Sequence, residues 1–379
     1  MNPRNKTTQD GTQPSQNPKP ETGNRTLETA VPGHRRLSSG LWVPTEETIM
    51  QKISESHQPK PWDRYMPRDG ELSLFEFALK TKRPLMLIGP PHTAKTLFAE
   101  TMAAMYNLPF VDVPFAKGCT LSAQVGSVNF YTAENNTMHM VADDGPVVTA
   151  VRAPSGAILY LDEIRKAEGD QLSFYASLTD GRRRITVPET KEHLELHPDL
   201  VVVASYNPGI LFSRAELEPA IARRFLTLRF DYLDAEATES RIMKKMNFKE
   251  NGVSVAIADD EPYWQLLKNR LKEEKEMMEK RARHIKACGT LGTIAKALIK
   301  NIHELREKAE RGDVTVKEQP GDGAIDIAVE MIMNGFSYST SLLTSIINPI
   351  LSDLDPEWNA SSQAMETTLK SALPPEFKV

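Results

Sequence analysis

The chain has 379 residues, of which 40% are hydrophobic, and a formal net charge of −5. This length accommodates two or three domains, and this hydrophobic content can bury a sizeable core. The acidic balance argues against nucleic acid as the main partner, because binding to phosphates depends on clustered Lys and Arg.

The two cysteines, Cys119 and Cys288, lie far apart and without CxxC spacing, which argues against a disulfide framework and a cysteine zinc site. No apolar run approaches the roughly 18 residues that span a bilayer, and the N-terminus lacks a signal-peptide pattern. We therefore expect a cytoplasmic protein without a membrane span.

Residues 1–40 consist of polar, Pro, Gly and charged residues, a composition that predicts a disordered tail. Residues 41–71 include Trp42 and Trp62 among polar residues. Two tryptophans in a polar segment indicate a strap or linker that lies on the domain that follows.

Residues 72–235 alternate helix-like segments with short apolar runs: PLMLIG, PFVDV, GAILYLDE, LVVVASYN and LTLRF. This alternation predicts βαβ units around a buried, mostly parallel sheet. Residues 236–379 are rich in Lys, Glu, Leu, Met and Ala at i, i+3, i+4 spacing, which predicts a helical second domain.

The segment GPPHTAKT, residues 89–96, follows the apolar run LMLI and opens a helix-like stretch. A GxxxxGK[ST] loop in this position presents backbone N–H groups, a lysine and a hydroxyl to a nucleotide's phosphates and magnesium. Two residues depart from the pattern, His92 and Ala94. Ala94 is tolerable if its φ is negative, since a positive φ is what requires glycine. The candidate cofactor-binding residues are Gly89, Pro90, Pro91, His92, Thr93, Ala94, Lys95, Thr96 and Leu97.

Polar side chains end two further apolar runs. Asp162 and Glu163 end GAILYLDE, where Asp162 is expected to join the magnesium shell and Glu163 to polarise the attacking water. Asn207 ends LVVVASYN, where a neutral amide can orient that water or touch the γ-phosphate. The spacing of these runs from the lysine loop predicts one shared nucleotide site with Thr96 and Asp162 as the magnesium ligands.

EPAIARRF, residues 218–225, places Arg223 and Arg224 at the end of a short helix. An arginine supplied across a subunit boundary can stabilise the charge that develops during phosphoryl transfer. His193 and His197 lie four residues apart, but two histidines without a third ligand do not predict a metal site.

GPPHTAKT, AILYLDE, SYNPG and the ARRF ending together resemble the AAA+ ATPases of the MoxR branch, and most closely its CbbQ/NirQ/NorQ group. The resemblance covers residues 70–245. It implies a P-loop AAA+ fold with a three-layer αβα core, Walker A and Walker B elements, an all-α lid, and bound ATP and Mg²⁺. It also implies two inserted hairpins, at residues 128–141 and around RRITVPETKEHLEL.

The resemblance implies specific roles for the motif residues. Lys95 and Thr96 would bind phosphate and magnesium, Asn207 would be a sensor, and Arg224 would be the trans finger with Arg223 in reserve. The arginine expected in the lid is replaced by Thr293, with Lys296 one helical turn away.

These roles imply an ATP-hydrolysing, chaperone-like ring, a hexamer by analogy, that activates a client enzyme together with a von Willebrand factor A domain protein. One alternative is a nucleotide-binding scaffold or switch with little hydrolysis. A second alternative is a GTP-driven motor of a DNA-restriction complex, which uses a related fold, but no base-contacting motif supports it and the acidic balance counts against it. The phosphate motifs do not distinguish ATP from GTP.

Overall fold

The computed structural model describes residues 31–56, 65–116, 118–208, 217, 219–232, 261–288, 291–313, 321–351 and 358–370. The predictions for residues 1–30, for Trp62 and for the first part of the helical domain, 236–260, lie outside the described residues.

The strands are β1 (His34–Arg36), β2 (Trp42–Pro44), β3 (Leu85–Ile88), β4 (Phe110–Pro114), β5 (Gly126–Thr132), β6 (Met138–Asp144), β7 (Ile158–Asp162), β8 (Arg184–Thr186), β9 (His193–Glu195), β10 (Val201–Tyr206) and β11 (Leu226–Arg229). The helices of the first part are α1 (Glu46–Ser56), α2 (Glu71–Thr81), α3 (Lys95–Met105), α4 (Leu121–Val125), α5 (Pro146–Arg152), α6 (Gly169–Leu178) and α7 (Pro219–Ala222). A 3₁₀ turn covers Ile164–Lys166.

The C-terminal part is helical in all its described elements. They are α8 (Glu261–Cys288), α9 (Leu291–Arg311), α10 (Asp322–Met333), α11 (Tyr338–Leu342), a π-helical turn (Leu343–Ile347), α12 (Asn348–Ile350) and α13 (Trp358–Lys370). No helix in the described ranges combines the length and the apolar composition that crossing a membrane requires.

The central sheet has the strand order β11–β3–β10–β7–β4, and all its pairings are parallel. Its strands are apolar runs because helices cover both faces of the sheet. Alternate side chains enter two different hydrophobic clusters: Met86 and Ile88 face the one that contains α5 and α6, whereas Leu85 and Leu87 face the one that contains α2 and α3. The predicted α/β core with a mostly parallel sheet is therefore present.

A smaller sheet, of order β1–β2–β6–β5, lies beside the core. The hairpin β5–β6 is the one predicted at residues 128–141, and its turn includes Asn136 at φ 60°. Trp42 is buried and stacks edge-on against His139 of β6. The prediction of a disordered tail was wrong for residues 34–36, because pairing of their backbone with β2 orders them without an apolar side chain.

The second predicted hairpin is β8–β9. Arg152 of α5 connects the two hairpins, since it forms ion pairs with Asp144 at the end of β6 and with Glu192 between β8 and β9, at 2.9 and 2.5 Å. Burial raises the pKa of Asp144, although the charge of Arg152 opposes that rise.

Among the described residues, the helical part packs against the core through α8 and through the segment that contains Asn348, among other contacts. Leu267 and Leu271 of α8 are buried in the same cluster as α2 and α3. Asn348 is also buried, accepts a hydrogen bond from Arg229 Nε at 3.2 Å, and lies beside the edge strand β11. A separate apolar cluster joins α9 to α10, α11 and α13.

Candidate functional site

The loop of residues 89–94 connects β3 to the first turn of α3. Its first residue must be small, because a Cβ on Gly89 would lie 2.1 Å from the carbonyl oxygen of Phe230. Thr93 is buried and its hydroxyl donates to the Pro90 carbonyl at 2.8 Å. Leu97 packs against the adjacent hydrophobic cluster. The loop is thus held from both sides before the helix begins.

His92 and Ala94 both have left-handed backbone conformations, with φ of 64° and 70°. The condition under which Ala94 would be tolerable, a negative φ, is therefore not met. Left-handed conformations cost a non-glycine residue roughly 1–2 kcal/mol, because Cβ crowds the following carbonyl oxygen. The two departures from the motif therefore occupy the positions where glycine would relieve strain, and the loop keeps its path without glycine there.

Lys95 is 8% exposed, and its ammonium group is surrounded by oxygen atoms. It donates to the carbonyl oxygens of Gly89 and Pro90, each at 2.8 Å, and to Oδ1 of Asn207 at 2.9 Å. Burial lowers the pKa of Lys95, and the carboxylates of Glu163 and Asp162 oppose this shift. The Lys95 amino group therefore lies at the mouth of the loop, held by three oxygen atoms and close to two carboxylates.

Asp162 and Glu163 lie at the carboxyl end of β7, beside β10. Ser205 donates to Oδ1 of Asp162 at 2.6 Å. The side-chain amide of Asn207 donates to Oε1 of Glu163, whose backbone is left-handed at φ 59°. Both carboxylates are half-buried. The structure therefore brings Lys95, Asn207 and Glu163 into one hydrogen-bonded series.

Thr96 is exposed, and its hydroxyl lies 3.1 Å from the hydroxyl of Tyr160. Among the described residues, no group of three His, Cys, Asp or Glu side chains could hold a metal ion. Magnesium does not need such a group, since it binds through one or two carboxylates together with nucleotide phosphates and water. One hydroxyl, from Thr96, and one carboxylate, from Asp162, therefore fit a magnesium ion that arrives with a nucleotide.

Arg223 and Arg224 follow α7, as predicted from ARRF. Arg224 is half-buried, and its guanidinium donates to the carbonyl oxygen of Ala176 near the end of α6. A cation is favourable there because carbonyl groups at a helix end carry partial negative charge. Arg223 is exposed. The structure thus places Arg224 against α6 of its own chain.

Thr293 and Lys296 lie on the first turns of α9, and both are exposed. His193 and His197 bond locally: His193 Nδ1 lies 2.9 Å from the Thr186 hydroxyl, and His197 Nδ1 accepts from the Asp199 amide at 3.1 Å. The histidines therefore belong to the β8–β9 hairpin and its neighbouring turn.

Two residues of the site, Tyr160 and Ser205, were missed in the sequence. Each is a hydroxyl-bearing residue in a mostly apolar strand, and Tyr160 precedes Asp162 by two positions, on the same face of β7. That alternation is the sequence signal that could have identified Tyr160. Finding Ser205 also requires the register of β10 against β7, which aligns Val203 with Tyr160.

A family model described as an AAA domain of the dynein-related subfamily matches residues 84–225. The chain is 36% identical to Protein CbbQ of Hydrogenophilus thermoluteolus over 188 residues, which are 50% of this chain and 66% of the relative. It is 34% identical to Protein NorQ of Paracoccus denitrificans, over 44% of this chain and 60% of the relative. It is also 34% identical to the denitrification regulatory protein NirQ of Stutzerimonas stutzeri, over 47% and 62%. The chain thus matches less than two thirds of each of these relatives.

Among solved structures, the chain is similar to a candidate ATPase of Cytophaga hutchinsonii, with a TM-score of 0.51 and 14% sequence identity. The similarity covers 86% of this chain and 94% of the other. At this identity the likeness concerns the fold, in both the sheet-containing part and the helical part.

Proposed function

We propose that this protein hydrolyses ATP with Mg²⁺ to remodel a client protein. Residues 84–225 match an AAA domain of the dynein-related subfamily, and the relatives of the chain include CbbQ, NorQ and NirQ, as the sequence predicted. In this proposal Lys95 contacts the phosphates, Thr96 and Asp162 hold magnesium, and Glu163 polarises the attacking water. His92, Thr93 and Ala94 would present backbone N–H groups to the phosphates, whereas Pro90 and Pro91 have none to donate.

The observation that carries the proposal is the amide of Asn207 between Lys95 and Glu163. Its oxygen accepts from the lysine and its nitrogen donates to the carboxylate, so its orientation is fixed by two opposite charges. Glu163 is thereby held at a defined distance from the group that would bind the γ-phosphate. A carboxylate in that position can accept a proton from a water molecule that attacks phosphorus.

Magnesium, when bound, would neutralise phosphate charge as the bond to the leaving group breaks. The chain's own contribution is positional. Ser205 fixes the rotation of the Asp162 carboxylate, and the burial of Lys95 strengthens its attraction to an anion. Since such preorganised groups need not rearrange during the reaction, they favour the transition state over the bound substrate.

We further propose that the protein works as a ring, hexameric by analogy, in which Arg224 completes the site of a neighbouring subunit, with Arg223 as the alternative. A ring requires a heterologous interface, so the residues that complete a site differ from those that bind the nucleotide. Arg224 meets this requirement: it follows α7 and is anchored to α6 rather than to the phosphate loop.

The proposed client is an enzyme that needs activation, and the proposed partner is a von Willebrand factor A domain protein. The hairpin β5–β6 supports a protein contact, because Phe130, Met138 and Met140 lie on one face of it and are 70, 66 and 47% exposed. Exposed apolar side chains grouped in this way are typical of protein interaction sites.

A second candidate function is a nucleotide-dependent switch with little hydrolysis. It is favoured by the strained loop residues His92 and Ala94, and by Thr293 at the position where the resemblance expects an arginine. The two functions differ in turnover, since a switch binds nucleotide but releases almost no phosphate.

Phosphate release from the purified protein, measured with ATP and with GTP over a range of protein concentrations, tests the proposal. We expect Mg²⁺-dependent activity per subunit that rises with concentration and is lost in Glu163→Gln and Arg224→Ala. Glu279→Gln on α8 and Arg182→Ala before β8 are matched controls at exposed positions and should retain activity. Nucleotide binding without turnover, alone or with cell extract, would refute the remodelling function and support the switch.

A further inference from the structure

Two buried hydroxyl groups lie directly behind the two residues proposed to hold magnesium. The Tyr160 hydroxyl is 3.1 Å from Oγ1 of Thr96, and the Ser205 hydroxyl is 2.6 Å from Oδ1 of Asp162. Each residue proposed to hold magnesium therefore has a buried hydroxyl group as its hydrogen-bond partner.

Both hydroxyl-bearing residues are fully buried: Tyr160 and Ser205 are each 0% exposed. They occupy neighbouring central strands whose other buried side chains, apart from Tyr206, are aliphatic. A hydroxyl in such a place costs stability unless it is hydrogen-bonded, and an aliphatic side chain would fill the same volume without that cost. Since both hydroxyl groups form hydrogen bonds with residues of the candidate nucleotide site, we expect them to serve that site.

The direction of the hydrogen bonds follows from the carboxylate. An ionised Asp162 can only accept, so Ser205 must donate its single proton to it. The Ser205 oxygen also accepts from the backbone amide of Glu163 at 3.4 Å. A Thr96 oxygen that binds a metal ion uses its lone pairs on the metal, so in the magnesium complex Thr96 donates its proton and the Tyr160 oxygen accepts.

We propose that Tyr160 and Ser205 are positioning residues for the magnesium complex of the nucleotide, an inference that rests on the proposed nucleotide site. Tyr160 accepts a hydrogen bond from the Thr96 hydroxyl, which leaves the lone pairs of the Thr96 oxygen for the metal. Ser205 fixes the rotation of the carboxylate that provides the second ligand. One buried hydroxyl group thus orients each of the two ligands.

The experiment separates metal binding from nucleotide binding. The affinity for a fluorescent, non-hydrolysable ATP analogue is measured in EDTA and over a magnesium titration for wild type, Tyr160→Phe and Ser205→Ala. Tyr160→Phe removes one oxygen and keeps the ring that packs 5.5 Å from Phe110. Tyr175→Phe is the matched control, since this buried tyrosine donates at 3.1 Å to Gln124 in the other hydrophobic cluster.

Wild type should bind the analogue more tightly with magnesium. In Tyr160→Phe and in Ser205→Ala, the magnesium concentration that gives half of this increase in affinity should rise about 10-fold. A loss of this size is usual when a group that orients a metal ligand is removed. Affinity in EDTA should stay within about twofold of wild type in both, because neither residue contacts the phosphates. Tyr175→Phe should leave both quantities unchanged.

Two results would overturn the inference: unchanged magnesium dependence in both variants, or wild-type binding that does not depend on magnesium. Equal losses of affinity with and without magnesium would also overturn it, since they would indicate a purely structural role. Absence of phosphate release from wild type would refute the proposed hydrolysis alone, because the binding titration does not require turnover.

Discussion

Glu274 of α8 joins the helical part to the core by capping the N-terminus of α2. Its carboxylate accepts from the backbone amides of Gly70 and Ser73, both at 3.1 Å, and from the Ser73 hydroxyl at 2.5 Å. Gly70, the residue at the N-cap of α2, has no side chain to fulfil this role. The helix therefore depends on a carboxylate about 200 residues away in the sequence, and Glu274→Ala removes it.

The magnitude follows from what the variant leaves behind. Glu274 is 8% exposed, so water reaches the vacated site poorly. Loss of an N-cap costs about 1–2 kcal/mol, and a buried donor left without an acceptor costs about 1–3 kcal/mol. Partial hydration of the Gly70 amide reduces the sum, so we expect Glu274→Ala to lower the free energy of unfolding by about 3 kcal/mol.

Urea denaturation followed by circular dichroism measures this loss as a shift of the midpoint at constant slope. Glu279→Ala is the matched control, because Glu279 is on the same helix and exposed, and it should change stability by less than about 0.5 kcal/mol. Ser73→Ala should cost less in the Glu274→Ala background than alone, since the two residues share a bond. A loss below about 1 kcal/mol for Glu274→Ala would refute the capping role.

Three further predictions concern glycine, charge and loop strain. Gly335→Ala should destabilise the protein by about 3 kcal/mol or more in chemical denaturation, because its Cβ would lie 1.9 Å from the Met278 carbonyl oxygen at φ 87°, and a near-neutral result would contradict this contact. Burial would raise the pKa of Glu76, but its ion pairs with lysines, chiefly Lys275, outweigh burial and lower it below the ordinary value of 4.5. The stabilisation from Glu76 is therefore complete above pH 4.5 and disappears as pH falls through the lowered pKa. Glu76→Gln should make the free energy of unfolding less dependent on pH in that acid range. An unchanged pH profile would refute this role of Glu76. Ala94→Gly should raise the thermal midpoint, because it relieves the strain of a left-handed alanine. The free energy of unfolding should increase by about 0.5–1 kcal/mol, after subtraction of the entropy that glycine adds to the unfolded chain. A lower midpoint would show that the left-handed alanine carries no strain.

The sheet and much of the candidate site could be predicted because three of the parallel strands are apolar runs whose carboxyl ends lead into the site residues. LMLI, AILYLDE and VVVASYN deliver Lys95, Asp162 and Asn207 to one edge of the sheet, since carboxyl ends of parallel strands lie together. The two hairpins were also predicted, because alternating residues around turn formers are a local signal.

The features that escaped prediction depend on contacts between distant segments. The left-handed backbone of Ala94 follows from closure of the loop between β3 and α3, which residue type does not specify. Ser205 becomes part of the site only through the register of β10 on β7. Glu274 looks like one charge among many on an exposed helix face, and only tertiary packing identifies it as a cap.

The most direct test of the central claim is to mix two inactive variants, Glu163→Gln and Arg224→Ala, under conditions that allow subunits to exchange, and to measure phosphate release. In a ring with shared sites, about one interface in four of an equal mixture combines an intact Glu163 with an intact Arg224 from the neighbour, so about a quarter of wild-type activity should return. A mixture that remains as inactive as its components, while wild-type subunits exchange and hydrolyse ATP, would contradict a site completed by Arg224 across a subunit boundary.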